Sequence, residues 1–425
     1  MAVRWGIRGI ADKMNGAPDP ASLRDPRPSA PRPSAPRPRD PRLDVMRGLA
    51  LLMIYINHVP GNFWENYTSR NFGLSDAAEG FVLIAGISAA LAYGQWFQPG
   101  SGLRQTMVGI GHVWHRVWTI YLVHILTTVL TLGVILAVAR WIGDAQLRHI
   151  NKMDIFLLDP GGAMLRIPLL IQQLDYVDIL PMYLVVLFVT PLALWLAWRA
   201  GWLLLGLSVL LWWGTNTYQL NLPNHPNPAG WFFNPLAWQL IFVIGLLIGT
   251  AARQGRRLIP AHPVLLLIAV AVLIIGLAWM QVPQVREYMS GLMWQAQQDG
   301  APAYVTSLEK TYLPLPRLVH ALALAYVLSC FPQVRRACGS VILAPFALLG
   351  RQGLLVFAAG SVMSVGLQTV RQRTGADPGL DTAMLAMGLS VLFMLAAARQ
   401  YWPKHQKQAA TKRTDRGLAR LKRQR

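Results

Sequence analysis

From residue 43 onward the chain alternates between long apolar runs and short stretches rich in Pro, Gly and Arg. The runs are apolar all round, so they read as buried or lipid-facing helices and not as the amphipathic helices of a soluble domain. A bilayer crossing takes about 20 such residues. The pattern predicts ten spans, at roughly 43–60, 77–98, 106–139, 179–198, 202–217, 234–252, 263–282, 313–331, 341–370 and 381–402. The third is long enough to lean or to protrude from the bilayer. The fold class predicted is an all-α integral membrane protein, a polytopic bundle. No short apolar stretch with a cleavage site precedes residue 43, so the first run reads as a retained helix and not a signal peptide.

The two ends break the pattern. Residues 1–42 carry Arg-Pro-Ser-Ala-Pro repeats from Pro26 to Arg39, which cannot build a core and predict a disordered or extended leader. Residues 403–425 form a polar, basic tail. Three parts follow: a leader at 1–42, a membrane domain at 43–402, and the tail.

Composition sharpens this picture. The chain is 54% hydrophobic and 14% charged, where a soluble domain carries about 25% charged residues. Two cysteines, Cys330 and Cys338, exclude a disulfide scaffold and a Cys-built zinc site. The formal charge of +20 raises the question of nucleic acid, but its distribution answers it. Residues 1–47 hold ten Lys/Arg and residues 403–425 hold nine, out of 39. The remainder gathers in short loops, at Arg104, Arg199, Arg253/Arg256/Arg257 and Arg335/Arg336. With both termini cytoplasmic, all of these fall inside, while Asp159, Asp175, Asp178 and Glu309 fall outside. That is the positive-inside bias, and an even span count returns the tail to the side of the leader. Membrane lipid, not nucleic acid, is the expected partner of the basic ends. The outer connections at 141–178 and 283–311 are long enough for small caps. The one at 218–235, rich in Asn, Pro and aromatics, reads first as an interface anchor and second as an aromatic platform for a sugar ring.

Ionisable groups inside a span are costly and point to function. Span one carries Asp44, Arg47, Asn57 and His58. Arg47 and His58 are eleven residues apart and fall within about 20° of one another on a helix, with a rise of about 16 Å. An Arg47 at the inner interface therefore puts His58 near mid-membrane, where an imidazole can act as a general base. Its competing reading is a neutral, hydrogen-bonded helix contact. Asp76 and Glu79 open span two. Asp76 fits a helix cap, while the deeper Glu79 is a candidate to orient His58. In span three, His112 and Arg116 are four residues apart and suit a phosphate-bearing ligand. Asn234, Trp238 and Gln239 begin span six, and Lys310, Arg317 and His320 flank the start of span eight. Gly350-Arg351-Gln352 interrupts span nine with a charge read as buried and in need of an acidic partner or an anionic ligand. No residue set has metal-ligand spacing, and no Walker loop, GxSxG elbow or HExxH is present.

One resemblance organises these residues. Arg39-Asp40-Pro41-Arg42 before Leu43-Asp44-Val-Met-Arg47-Gly48, then Asn57-His58, then Asn71-Phe-Gly-Leu-Ser-Asp76-Ala-Ala-Glu79-Gly-Phe-Val resemble the OpgC family. So do Ile179-Leu-Pro181-Met-Tyr183 and Trp231-Phe-Phe-Asn234-Pro-Leu-Ala-Trp238-Gln239. The likeness runs from about Arg39 to Trp402. It places the chain among acyltransferase-3-like membrane enzymes, whose Arg, ten residues, His spacing Arg47 and His58 match. It implies an inner-membrane enzyme transferring succinyl from cytoplasmic succinyl-CoA to hydroxyls of osmoregulated periplasmic glucans, with no tightly bound cofactor. In that frame His58 is the base, and Glu79 or Asp44 holds it. Asn57, Trp238 or Gln239 meets the oxyanion. Arg47, Arg104, His112 and Arg116 hold the donor's nucleotide end. Arg317 or Arg351 meets the succinyl carboxylate, and Asp76 and Asn234 line the acceptor. Transfer of acetyl to another envelope glycan and solute transport are the competing functions, and self-association of the chain is left open by the sequence.

Overall fold

The computed structural model describes residues 40–143 and 153–423, with side chains described outside 153–155 and 403–425. Most of the Pro/Arg leader thus lies outside the described residues. Among those described, every regular element is a helix. Thirteen of the described helices carry the fold: α1 Pro41–Asn57, α2 Ala77–Tyr93, α3 Leu103–Ile142, α4 Ile179–Arg199, α5 Gly201–Thr217, α6 Pro235–Arg253, α7 Pro263–Gln281, α8 Pro283–Gln298, α9 Leu315–Cys330, α10 Pro332–Cys338, α11 Ala344–Arg351, α12 Gly353–Thr374 and α13 Pro378–Arg423. Shorter helical segments sit in the connections, among them Met153–Leu158 and Pro160–Arg166.

Seven helices are long and apolar enough to cross a bilayer (α2, α3, α4, α6, α7, α12, and α13 up to Trp402). An eighth crossing is made if α9 and α10, bent by 84° at Phe331, count as one. The other two expected spans, α1 and α5, are 17 residues each, at the short limit for a crossing. Span nine differs from expectation. The run 341–370 is two helices, α11 and α12, broken at Gln352. The last helix continues unbroken from its apolar part into the basic residues, as far as Arg423.

Local chemistry starts the two helices nearest the candidate chemistry. Asp40 caps α1 by accepting from the Arg42 N–H at 3.0 Å, and Pro41 occupies the first turn, where its missing N–H costs nothing. Asp76 and Glu79 form a reciprocal capping box on α2: Asp76 accepts from the Ala78 N–H at 2.8 Å, and Glu79 from the Asp76 N–H at 2.9 Å.

Small residues then set the packing. α2 lies against α6 because Gly86, Gly245 and Gly249 let backbones meet. A Cβ at Gly245 would collide with the Leu83 carbonyl, and one at Gly249 with that of Ile87. α1 crosses α11 in the same way, through Gly48 and Gly350, with the Gly350 Cα facing the Asp44 carbonyl. Such close approaches are how helices associate where lipid is as apolar as Leu. The large buried side chains Tyr55, Trp238, Phe242 and Ile120 fill the space among these helices.

Candidate active site

α1 ends at Asn57, and His58 caps it, its N–H bonded to the Ile54 carbonyl at 3.0 Å. The side chain of His58 faces a cavity of about 660 Å³. The walls come from well-separated parts of the sequence: the end of α1, residues 70–78, residues 172–179, residues 224–227, Phe232 and Phe233, Lys310, Arg317 and Phe357. Beside His58 the Tyr176 ring lies 4.8 Å away between centroids, tilted 53°, and Phe357 meets it edge-on at 6.4 Å. His58 Nδ1 is buried and has no hydrogen-bond partner in the protein. Asn57 lines the same cavity. Its Oδ1 accepts from Thr68 Oγ1 at 2.8 Å, which leaves the NH2 end of the amide to donate.

Four charged groups form a linked set on one wall. Lys310 Nζ lies 2.5 Å from Asp76 Oδ2, Arg317 Nη2 lies 3.5 Å from the same oxygen, and Arg317 Nε donates to Glu79 Oε1 at 2.7 Å. Burial works to raise the Asp76 pKa, but Lys310 and Arg317 outweigh it and hold the carboxyl below the usual carboxylate range. Lys310 is itself held from two sides: its ammonium sits 5.3 Å from the centroid of the Phe233 ring, and its carbonyl accepts from Trp238 Nε1 at 3.0 Å. The remaining lining is amide, acid and aromatic, with Gln172, Gln173, Asp175, Asp178, Asn224 and Phe232. Burial pushes the Asp178 carboxyl up to about 7, with neighbouring Asp175 adding to the rise.

The structure brings His58, Asn57, Asp76 and Arg317 to one cavity and leaves the other candidates elsewhere. Glu79 is fully buried in the Arg317 pair and the α2 cap, and does not orient His58. Asp44 is fourteen residues before His58, a rise of about 21 Å, and lies 3.8 Å from Arg47. Arg47 bonds the hydroxyl of Ser88 and the Gly350 carbonyl, well away from the cavity. His112 stacks on Trp96 at 4.7 Å, Arg104 is exposed and Arg116 is half-buried. None of these four lines the cavity.

Three of the span-six residues serve packing. Asn234 caps α6 and donates to the Leu220 carbonyl at 2.7 Å. Gln239 exchanges bonds with Ser208, donating to its carbonyl at 2.9 Å. Trp238 is spent on Lys310. The expectation for Arg351 is corrected. It is exposed at the end of α11, where its Nε donates to the Ala347 carbonyl at 3.1 Å, because the chain breaks there to bring Gly350 against α1. Its charge is therefore neither buried nor near His58.

Sequence reading also missed residues the fold supplies. Tyr176, Asp175 and Asp178 looked like connection residues. Their one signal was the Asp-Tyr-Val-Asp run just ahead of a span. Lys310 was noted only as a flank of span eight.

A family model described as OpgC protein matches residues 39–404. No curated protein matches the chain.

Proposed function

The chain belongs to the OpgC family, whose membership makes it an OpgC-type acyltransferase, and we propose that it transfers succinyl from succinyl-CoA to a hydroxyl of a periplasmic glucan, with His58 as general base. One observation carries the reading. The His58 imidazole lines one cavity together with Asn57, the charged groups Asp76, Lys310 and Arg317, and the amides and aromatics of residues 172–178 and 224–233, where His225 also sits.

The step balances without a cofactor. His58 takes the proton of the acceptor hydroxyl as its oxygen attacks the thioester carbonyl. The tetrahedral intermediate collapses, the C–S bond breaks, and the imidazolium returns the proton to the leaving thiolate. The Asn57 NH2 group is placed to donate to the oxyanion. Lys310 and Arg317 are the cations available to a distal carboxylate, in place of Arg351. The glucan enters from the side of residues 172–178 and 224–227, an outer wall whose aromatic and amide groups suit a sugar. Succinyl-CoA approaches from the opposite, cytoplasmic side, with Arg47, Arg104, His112 and Arg116 toward its nucleotide end. The localisation that fits is the bacterial inner membrane.

A second reading, acetyl transfer to an envelope glycan within the acyltransferase-3-like enzymes, draws on a different observation: Lys310 and Arg317 already face Asp76 and Glu79. An uncharged acyl group needs no further cation. The test offers purified protein succinyl-CoA or acetyl-CoA with a periplasmic glucan and reads the mass of the product. A succinylated glucan supports the lead reading and an acetylated one the second. Solute uptake into protein-containing liposomes with no acyl donor, and no acylated product, would establish transport instead.

A further inference from the structure

A general base acts only when its ring is held in one orientation. A carboxylate commonly does this for a histidine, but neither Asp44 nor Glu79 reaches His58, and its buried Nδ1 meets no protein partner. Asp76 shares its cavity and acts on it as a charge, but the groups packed against the ring are the aromatic rings of Tyr176 and Phe357.

Tyr176 is unusual in a second, independent way. Its backbone is left-handed, with φ +70°, a region that bulky L residues avoid. Strain of this kind persists only where surrounding structure enforces it, and it gathers at functional sites. Here the enforcement is visible. The Tyr176 carbonyl accepts from Ser361 Oγ at 3.2 Å. Ser361 lies on α12, four residues after Phe357, so one turn of one helix both anchors Tyr176 and supplies the other ring against His58. An extended backbone at 176 would swing its side chain away from the imidazole.

We propose that Tyr176 is the positioning residue for His58: its ring, held by a left-handed backbone and the Ser361 bond, sets the plane of the imidazole against Phe357 in the place a carboxylate would take. This rests on His58 being the base.

The test measures kcat and both KM values for labelled acyl transfer by purified Tyr176→Gly and Tyr176→Phe proteins, beside His58→Ala. Glycine adopts φ +70° without strain but also frees the backbone, so Tyr176→Asn, which tolerates the left-handed region and also lacks the ring, is measured beside it and should lose activity to the same extent. Removal of the ring should lower kcat about 10- to 100-fold, with the KM values for donor and acceptor within about 2-fold of wild type. Tyr176→Phe, which keeps the ring, should restore kcat to within about 3-fold of wild type. Two results would overturn the inference alone: a wild-type kcat in Tyr176→Gly, or a defect confined to the acceptor KM, which would make the ring a sugar platform. Wild-type turnover by His58→Ala would instead overturn the reading on which it rests.

Discussion

Replacing Arg317 with Met leaves the Glu79 carboxyl with 0% exposure and one remaining bond, from the Asp76 N–H, so that it must either stay charged without a partner or take up a proton. At the observed 2.7 Å the lost attraction is roughly 6 kcal/mol for an effective dielectric of about 20. Desolvation of both groups offsets much of that, since the Arg317 side chain is only 12% exposed. Removing one partner of such a pair costs about 3–5 kcal/mol, whereas replacing both with apolar residues is close to neutral. The prediction is a two-by-two cycle of wild type, Arg317→Met, Glu79→Met and the double variant, each purified in detergent and melted with tryptophan fluorescence as the readout. Both single variants should melt well below wild type. The double variant should recover most of the loss, short by about 1 kcal/mol for the missing half of the capping box and by the Arg317–Asp76 contact, which Lys310 still covers from its side. An Arg317→Met protein that melts with wild type, or a double variant that loses the sum of the singles, would show that Arg317 and Glu79 do not act as a pair.

Three further outcomes follow from the same geometry. Asp178 is raised from an ordinary 3.8 to about 7 in the folded state; its ionised form is disfavoured there, so stability falls as pH rises from about 4 to about 7. Asp178→Asn should therefore melt above wild type at pH 8 and with it near pH 4, and a difference independent of pH would contradict this. Asp381, 3% exposed, accepts from Arg371 Nε at 2.8 Å and from the Phe63 N–H at 3.2 Å, while Arg371 donates to the Pro60 and Gly61 carbonyls. Asp381→Ala should speed amide hydrogen exchange across residues 60–67 and leave α6 unchanged; undisturbed protection at 60–67 would refute the clamp. Gly350→Ala places a methyl group on the Asp44 carbonyl and should lower the yield of folded protein, where Gly80→Ala, with open space around it, should not.

Which parts of this were legible in the sequence follows from range. The Asp76 cap depends on neighbours within a turn, and local spacing foretold it; the α1 start at Asp40-Pro41 is equally local but lies two residues ahead of the expected start at 43. The long third helix was equally plain, because apolar run length needs no partner. The pairings were not legible. Asp76 meets Lys310 across 234 positions and Glu79 meets Arg317 across 238, and nothing in the local pattern of either acid distinguishes an ion pair from a relay to His58. Asn234, Trp238 and Gln239 looked like site residues because they were polar groups at a span end. In the fold they cap α6, bond Ser208 and hold the Lys310 carbonyl. The interruption at Gly350-Arg351-Gln352 was visible in the sequence, but Arg351 was misread as buried because nothing local shows that it ends a helix with its side chain exposed. The chain turns at Gln352 for the sake of the α1–α11 contact, a tertiary cause. Tyr176 carried the least signal of all, since a left-handed aromatic looks like any other tyrosine on paper.

The central claim is that His58 takes the acceptor proton. Its most direct test is the initial rate of labelled succinyl transfer from succinyl-CoA to a periplasmic glucan by His58→Ala and His58→Gln proteins. Each must first be shown to melt with wild type and to bind the donor. A general base contributes about 10²- to 10⁴-fold, so both variants should fall by at least about 100-fold in kcat with unchanged donor affinity. Transfer at the wild-type rate by either folded variant would contradict the account.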